Sequence, residues 1–185
     1  MKAVLISIQP QWCEKIAARR KTMELRKSRP NIPLPFKCYI YQTRYKWVFK
    51  ILRAMKLDTL ADTLESGRGK VIGEFVCDHI LRHCNMANAD FAEQQSCVHR
   101  DKIFAYSGGK EVFGWHISNL TIYDEPKPLS KFYKECAGLD NTGMCWECEK
   151  AVGEECECAT NGRVFLDRPP QSWCYVEENQ YGSLE

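Results

Sequence analysis

Histidine is scarce in this chain, four residues in 185, and none of them falls in the cysteine-rich stretch 136–158. A metal bound in that stretch would therefore need thiolate ligands. No apolar run approaches the length of a membrane span, and the opening "MKAVLISIQP" is too short for a signal-peptide core. A membrane partner is therefore not expected. Eleven cysteines without a secretory signal imply reduced thiols in a cytoplasm, not a disulfide framework. Internal repeats and low-complexity tracts are missing too, which excludes solenoids and arrays. Ser172 has no nucleophile-elbow context, so the serine-hydrolase chemistry of that motif is excluded.

Apolar content of 44% and charged content of 27% are those of a globular protein. A chain of this length supports one good core and a small appendage. A single domain over 1–183 is expected, with Leu184 and Glu185 read as a cloning scar. Net charge is only +2, but it is segregated. Residues 1–60 hold 14 Lys/Arg against 3 Asp/Glu, and residues 61–185 hold 12 against 21. A basic face of this kind attracts phosphate-bearing partners, although a solvated surface has the same composition.

The apolar, β-branched "KAVLISI" (2–8) reads as a buried strand, and Gln9-Pro10 opens a short helix reaching about Arg20. "TMELRK" (22–27) alternates as a strand, and "FKCYIYQT" (36–43) follows after Pro30, Pro33 and Pro35. Residues 44–69 carry helical periodicity and end on Gly67 and Gly69. A long strand at 70–83, a short helix within 86–99, a bent strand or strand pair at 111–124 with Gly114 as a bulge, and a last strand near 168–178 complete the chain. Few helices and no regular crossovers make this an α+β protein built as a small mixed β-barrel.

The segment "RRKTMELRKSRP" (19–30) has six basic residues, with one acid, Glu24, among them. On a strand, Thr22, Glu24 and Arg26 share a face at a spacing of about 7 Å, with Lys21 at the preceding turn. Such a set either neutralises itself or binds a small polar ligand. In the second case Arg26 clamps an oxyanion, Glu24 accepts from an amine and Lys21 donates. Lys27, Arg29 and Arg44 extend the basic surface toward phosphates. Trp12, Tyr39, Tyr41, Tyr45 and Trp47 are candidates for a base-stacking surface, though Trp12 also fits the apolar helix face as a core residue.

The spacing of Lys21, Glu24 and Arg26 after "IQPQW" resembles the G-x-K-x-x-E-x-R motif of ASCH domains, small β-barrels of the PUA-like superfamily associated with RNA and modified nucleosides. "GKVIGEF", "GWHISNL" and "RPPQSW" extend the likeness to phage and prophage members over about two-thirds of the chain. The resemblance implies a PUA-like mixed β-barrel with flanking helices, with the helical excursion at 44–69 and a cysteine-rich insert added. It also implies binding of RNA or a modified nucleoside in a cleft lined by Lys21, Thr22, Glu24 and Arg26. Arg19 stands where the family has glycine, a position where a helix end wants a left-handed residue. Relatives that hydrolyse N(4)-acetylcytidine use a Lys, a Thr three residues later and a distant Glu. Their activity implies an alternative, an amidohydrolase with Lys21 and Glu24 as catalytic residues, although Glu24 occupies the threonine position. Glu93 is the candidate for the distant Glu.

Residues 135–160 carry seven acids against one base and few large apolar residues, so the segment buries little by itself. Its cysteines, Cys136, Cys145, Cys148, Cys156 and Cys158, include one C-x-x-C pair of zinc-knuckle spacing. Four of these five thiolates around a structural Zn would tie the loop together, while the alternative is an insert with unbound thiols. Use of the acidic insert as a contact in a protein-interaction module of a mobile element is a third functional reading. Cys13, Cys38, Cys77 and Cys174 fit as small core residues.

Overall fold

The structure, a computed structural model, describes residues 2–44, 69–136 and 162–178, together with 54, 56, 138, 144, 145, 150 and 151. Strand β1 (Ala3–Ile8) has no charged side chain and is buried at all six positions, as its unbroken apolar run predicts. Helix α1 (Pro10–Ala17) starts on proline, which loses no helical hydrogen bond there, and it buries Cys13 and Ile16.

The helix ends in a Schellman turn. The backbone N–H of Arg19 donates to the Ile16 carbonyl (2.8 Å) and that of Arg20 to the Lys15 carbonyl (2.9 Å), with Arg19 at φ 54°. Arg19 therefore keeps a left-handed conformation at the position where the resemblance places a glycine. Arg19→Gly should stabilise the fold by about 0.5–1 kcal/mol in urea unfolding. An unchanged midpoint would show that the arginine bears no strain there.

The remaining elements are β2 (Met23–Arg26), β3 (Phe36–Gln42), β4 (Val71–Cys77), β5 (Ile80–Leu81), α2 (Ala89–Ser96), α3 (Arg100–Ser107), β6 (Phe113–His116) and β7 (Ser118–Lys127). A 3-10 turn (Leu129–Lys131) leads into β8 (Phe132–Glu135), β9 (Met144–Cys145), β10 (Lys150–Ala151), β11 (Arg163–Phe165) and β12 (Trp173–Glu178). Seven strands form one sheet in the order β11-β8-β12-β1-β3-β4-β7, three form a second in the order β2-β6-β5, and β9 and β10 pair as a hairpin. Strands β1 and β3 run parallel, and the other recorded pairs are antiparallel. No described helix is long and apolar enough to cross a membrane.

The α+β class holds, but the expected barrel is not closed by hydrogen bonds among the described residues, where β7 and β11 remain edges. Pro126 and Pro128 leave the end of β7 short of donors for a ladder. Side chains span the gap instead. Lys127 of β7 pairs with Glu178 of β12, although three strands lie between them in the sheet order. The Glu178 carboxylate also accepts from the Tyr39 hydroxyl (2.9 Å). Beside it, Glu74 accepts from Lys37 (2.8 Å) and Tyr123 (2.5 Å).

Burial would raise the Glu74 carboxyl, but the hydrogen bonds from Lys37 and Tyr123 and the charges of Lys37 and Lys127 outweigh it. They hold the carboxyl below the usual range. A depressed folded-state pKa contributes stability above the unfolded carboxylate pKa, and that contribution is lost as pH falls through the folded value. Glu74→Gln should therefore flatten the acid limb of a Tm-against-pH curve. An acid limb identical to wild type would remove Glu74 from the network's account.

The long strand expected at 70–83 is divided. It breaks at Asp78 and His79 because Asp78 takes the His116 ring (Nδ1, 2.6 Å) and the His79 carbonyl takes the His116 backbone N–H (3.0 Å). Strand β4 thus stays in the large sheet while β5 joins the small one. The segment 111–124 bends in the same way at Ile117, whose N–H bonds the Thr22 carbonyl (2.9 Å). These two bends make a corner between the sheets.

Gly114 is not a bulge, since it pairs regularly with Leu25 and Leu81. Its small size has a packing reason, because a Cβ there would stand 2.2 Å from Met23 Sδ. The short helix expected within 86–99 is α2, and a second helix, α3, follows it beyond that range. Cys97 in left-handed conformation ends α2, and His99 caps α3 by accepting the Asp101 N–H (3.3 Å).

Packing divides into three clusters. Val4, Ile6, Ile8, Cys13, Ile16, Cys38, Ile40, Phe75 and Trp115 fill one face of the large sheet, beneath α1. Leu5, Tyr39, Tyr41, Val71, Phe132 and Val176 fill the other. Met23, Leu25, Cys84, Ala92, Ile103 and Val112 hold α2 and α3 against the small sheet. Cys13, Cys38 and Cys77 are core residues, as expected. Burial pushes all three thiols up, Cys77 to about 12, so they pack and do not react. Cys174 is only half-buried.

The helical excursion at 44–69 lies outside the described residues except at Arg44, Ala54, Lys56 and Gly69. The insert at 136–158 does so except at Cys136, Gly138 and the β9–β10 hairpin.

Candidate functional site

The Schellman turn delivers the chain directly into β2, so Lys21 sits on the turn and Glu24 and Arg26 follow on the strand. Ridges from β1, α1 and α3 close around this strand to form a cleft of about 500 Å³. Lys21, Glu24 and Arg26 line it, together with Ser7, Trp12, Lys102, Tyr106 and Gln171.

The three charged side chains form one buried set. Lys21 Nζ lies 3.2 Å from Glu24 Oε2, and Arg26 Nη2 lies 3.1 Å from Glu24 Oε1. Side-chain exposure is 2% for Lys21, 8% for Glu24 and 12% for Arg26, so water contributes little to their solvation. Backbone carbonyls supply the rest, Ser96 to Lys21 (3.0 Å) and Ser7 to Arg26 (2.7 Å). Two cations face one carboxylate, which leaves the floor net positive.

Satisfaction is incomplete. Among the described residues, the buried side-chain polar atoms without a hydrogen-bond partner are Glu24 Oε2, Arg26 Nε and Trp115 Nε1. Lys21 is in ion-pair contact with Glu24 Oε2 without directing a hydrogen bond at it. Trp115 is the cross-strand partner of Glu24 in the β2–β6 pairing. Glu24 and Arg26 line the cleft, while the Trp115 indole packs in the core against Phe36 and Trp173.

The cleft walls are aromatic. Trp12 is half-buried, packs on the core and also lines the cleft. Lys15 and Lys21 place their ammonium groups 5.0 and 5.3 Å from its ring centre. Tyr106 lines the cleft from α3, with Lys27 Nζ 4.8 Å from its ring centre.

Tyr39 and Tyr41 do not form a stacking surface, because both are buried on the far face of the large sheet. Tyr45 and Trp47 lie outside the described residues. Thr22 turns its hydroxyl to Gln95 of α2 and is not among the lining residues. Arg29 is exposed beyond β2, and Arg44 lies with its guanidinium against Gly69. Glu93 is away from the cleft, held by Arg100 (3.3 Å) on the helix surface. Among the described residues, no group of three or more His, Cys, Asp or Glu is placed to hold a metal. Of the five insert cysteines, only the side chain of Cys136 is described.

Sequence reasoning missed the contribution of α3. Lys102 and Tyr106, four residues apart on one helical face, are the signal that could have found it, followed by the stop at Gly108-Gly109.

No protein-family model matches the sequence, and no curated protein matches it either. Solved structures do. ASCH from Zymomonas mobilis aligns with a TM-score of 0.57 at 16% identity, over 95% of this chain and 87% of that one. A serine-to-alanine mutant of the Zymomonas mobilis ASCH protein aligns at 0.58 and 15% identity, over 96% and 89%. A tyrosine-to-phenylalanine mutant of it aligns at 0.53 and 15%, over 97% and 93%. At this identity the likeness is one of architecture, and it spans nearly the whole of each chain: this protein has the ASCH-domain fold.

Proposed function

We propose that the cleft binds RNA or a modified nucleoside, with Lys21, Glu24 and Arg26 at its floor and Lys27, Arg29, Arg44 and Lys102 directed to phosphates around it. The observation that carries this reading is the buried Lys21–Glu24–Arg26 set at the floor of a cleft that Trp12 and Tyr106 also line. Binding is favoured over hydrolysis because the Lys21 ammonium is already engaged by Glu24 and the Ser96 carbonyl. Fluorescence anisotropy with labelled single-stranded RNA tests the reading. Affinity should fall steadily with log salt and should be lost in Arg26→Ala, and a flat salt dependence would remove the phosphate contacts.

Four of Cys136, Cys145, Cys148, Cys156 and Cys158 are proposed to hold a structural zinc. The β9–β10 hairpin supports this, since Cys145 lies on its first strand and Cys148 falls in the four residues between the strands. Native mass spectrometry should find one zinc per chain. A metal-free chain whose Tm is indifferent to chelator would end the proposal.

A further inference from the structure

A second cavity, of about 420 Å³, opens on the large sheet between β8 and β12. The β8–β12 ladder holds the pairs Phe132–Glu178 and Tyr133–Glu177. Beyond them the cavity takes the place of the next rungs, with Lys134, Glu135 and Cys136 on one side and Val176, Tyr175 and Cys174 on the other. Each side of this fork is held from outside. Cys174 pairs with Leu5 of β1, and the Cys136 N–H continues the β8–β11 ladder to the Gly162 carbonyl (2.7 Å). In an antiparallel ladder one pair fixes the register, so the pairing of Tyr133 with Glu177 sets Cys136 opposite Cys174. Both are thiols in the structure, both are partly exposed, and both line the cavity, so a small oxidant reaches them. Closing the ladder to that rung sets their Cα atoms about 4.5–5.5 Å apart, within the span of a disulfide.

The geometry points to a redox pair: Cys136 and Cys174 form a reversible disulfide that closes the fork and ties the start of the cysteine-rich insert to β12. Hydrogen peroxide is the oxidant and a dithiol the reductant. The Cys136 sulfur attacks one peroxide oxygen, the O–O bond breaks, and water leaves with the thiol proton, giving a sulfenic acid. The Cys174 sulfur then displaces the hydroxyl from that sulfur. The S–S bond forms, and the hydroxyl leaves with the Cys174 proton as a second water. Two electrons pass from the sulfurs to peroxide. Burial pushes the Cys174 thiol up while Lys134 opposes it, which suits Cys174 to the second step, where the leaving hydroxyl takes its proton. An accessible pair of this kind is labile to reductant, unlike a buried structural bridge. Cys136 is then the fifth cysteine of its segment, and Cys145, Cys148, Cys156 and Cys158 are the four left for the proposed zinc.

The test is peptide mapping of the full wild-type chain, treated with hydrogen peroxide, alkylated and analysed without reductant by tandem mass spectrometry. The peptide bearing Cys174 should be joined to the one bearing Cys136, with the loss of two hydrogens, and a dithiol should separate them. The join should vanish in Cys136→Ser and in Cys174→Ser. A join that persists in Cys136→Ser, a bond from Cys136 to another cysteine of the insert, or a Cys174 that stays alkylatable after oxidation overturns the inference. Zinc lost from Cys136→Ser overturns it too, because a metal-bound Cys136 is not the partner of Cys174. Hydrogen exchange on the wild type reads the fork itself. Oxidation should slow the amides at 134–136 and 174–176, and unchanged exchange there overturns closure. The wild-type mapping does not depend on either variant folding.

Discussion

Glu24→Ala is expected to destabilise the protein by about 3–5 kcal/mol and to abolish ligand binding together with the fold's margin. Lys21 and Arg26 are nearly sealed from water and have Glu24 as their common counter-ion. Removing the carboxylate leaves two like charges buried side by side, with backbone carbonyls as their remaining partners. Urea unfolding of Glu24→Ala, Glu24→Gln and the double variant Lys21→Met/Glu24→Leu resolves the cause. The alanine variant should be the least stable, and the double variant should recover part of the loss, since replacing a buried ion pair with apolar groups is far less costly than breaking it. Glu24→Ala and the double variant should fail to bind RNA. Stability of Glu24→Ala equal to wild type would mean that water enters the cleft freely and that the set is not buried in solution.

Gly73→Ala is the second large effect, at about 3 kcal/mol, the upper end of the range for overpacking. Gly73 lies in β4 between β3 and β7, opposite Ile40 and Ile122, where the ladder register shifts on both sides. A Cβ there would stand 2.4 Å from the Thr121 carbonyl oxygen and 3.1 Å from the Ile122 Cα. These are backbone atoms of the neighbouring strand and cannot swing away as a side chain can. Relief requires β7 to separate from β4, which would also pull Lys127 and Tyr123 from the network that spans the gap to β12. Chemical denaturation measures the loss, and hydrogen exchange at β7 amides should accelerate before that at β1. An unchanged midpoint with unchanged exchange would show that the edge strand slides without cost. Gly114 makes a useful contrast, because its close neighbours are the Met23 and Cys84 side chains, which can repack.

Strands flanking the core were readable because their side chains meet a simple criterion of polarity and period. β1, β3, β12 and the bent β6–β7 segment stand where apolar runs put them. The left-handed Arg19 was readable from the glycine position of the motif. The division of 70–83 into β4 and β5 was not, because it depends on a contact between Asp78 and His116, thirty-eight residues apart. Helix α3 escaped notice for a different reason. Its buried residues are only Ile103 and Ser107, while Phe104 and Tyr106 are exposed, so its apolar period is weak. Strands β8 (FYKE) and β11 (RVF) contain β-forming residues but are too short to show a period, so their partners across the sheet define them.

The sequence by itself determined the α+β class, the edges of the principal strands, the turn at Arg19 and the grouping of Lys21, Glu24 and Arg26. Each of these follows from spacing over a few residues, where backbone geometry alone relates the side chains. Only the tertiary structure decided that this group is buried, because its seal comes from β1, α1 and the Ser96 carbonyl at the end of α2. It also decided that Tyr106 and Lys102 face the cleft while Tyr39 and Tyr41 face the opposite core. Burial depends on what distant segments cover, and local spacing carries no record of that.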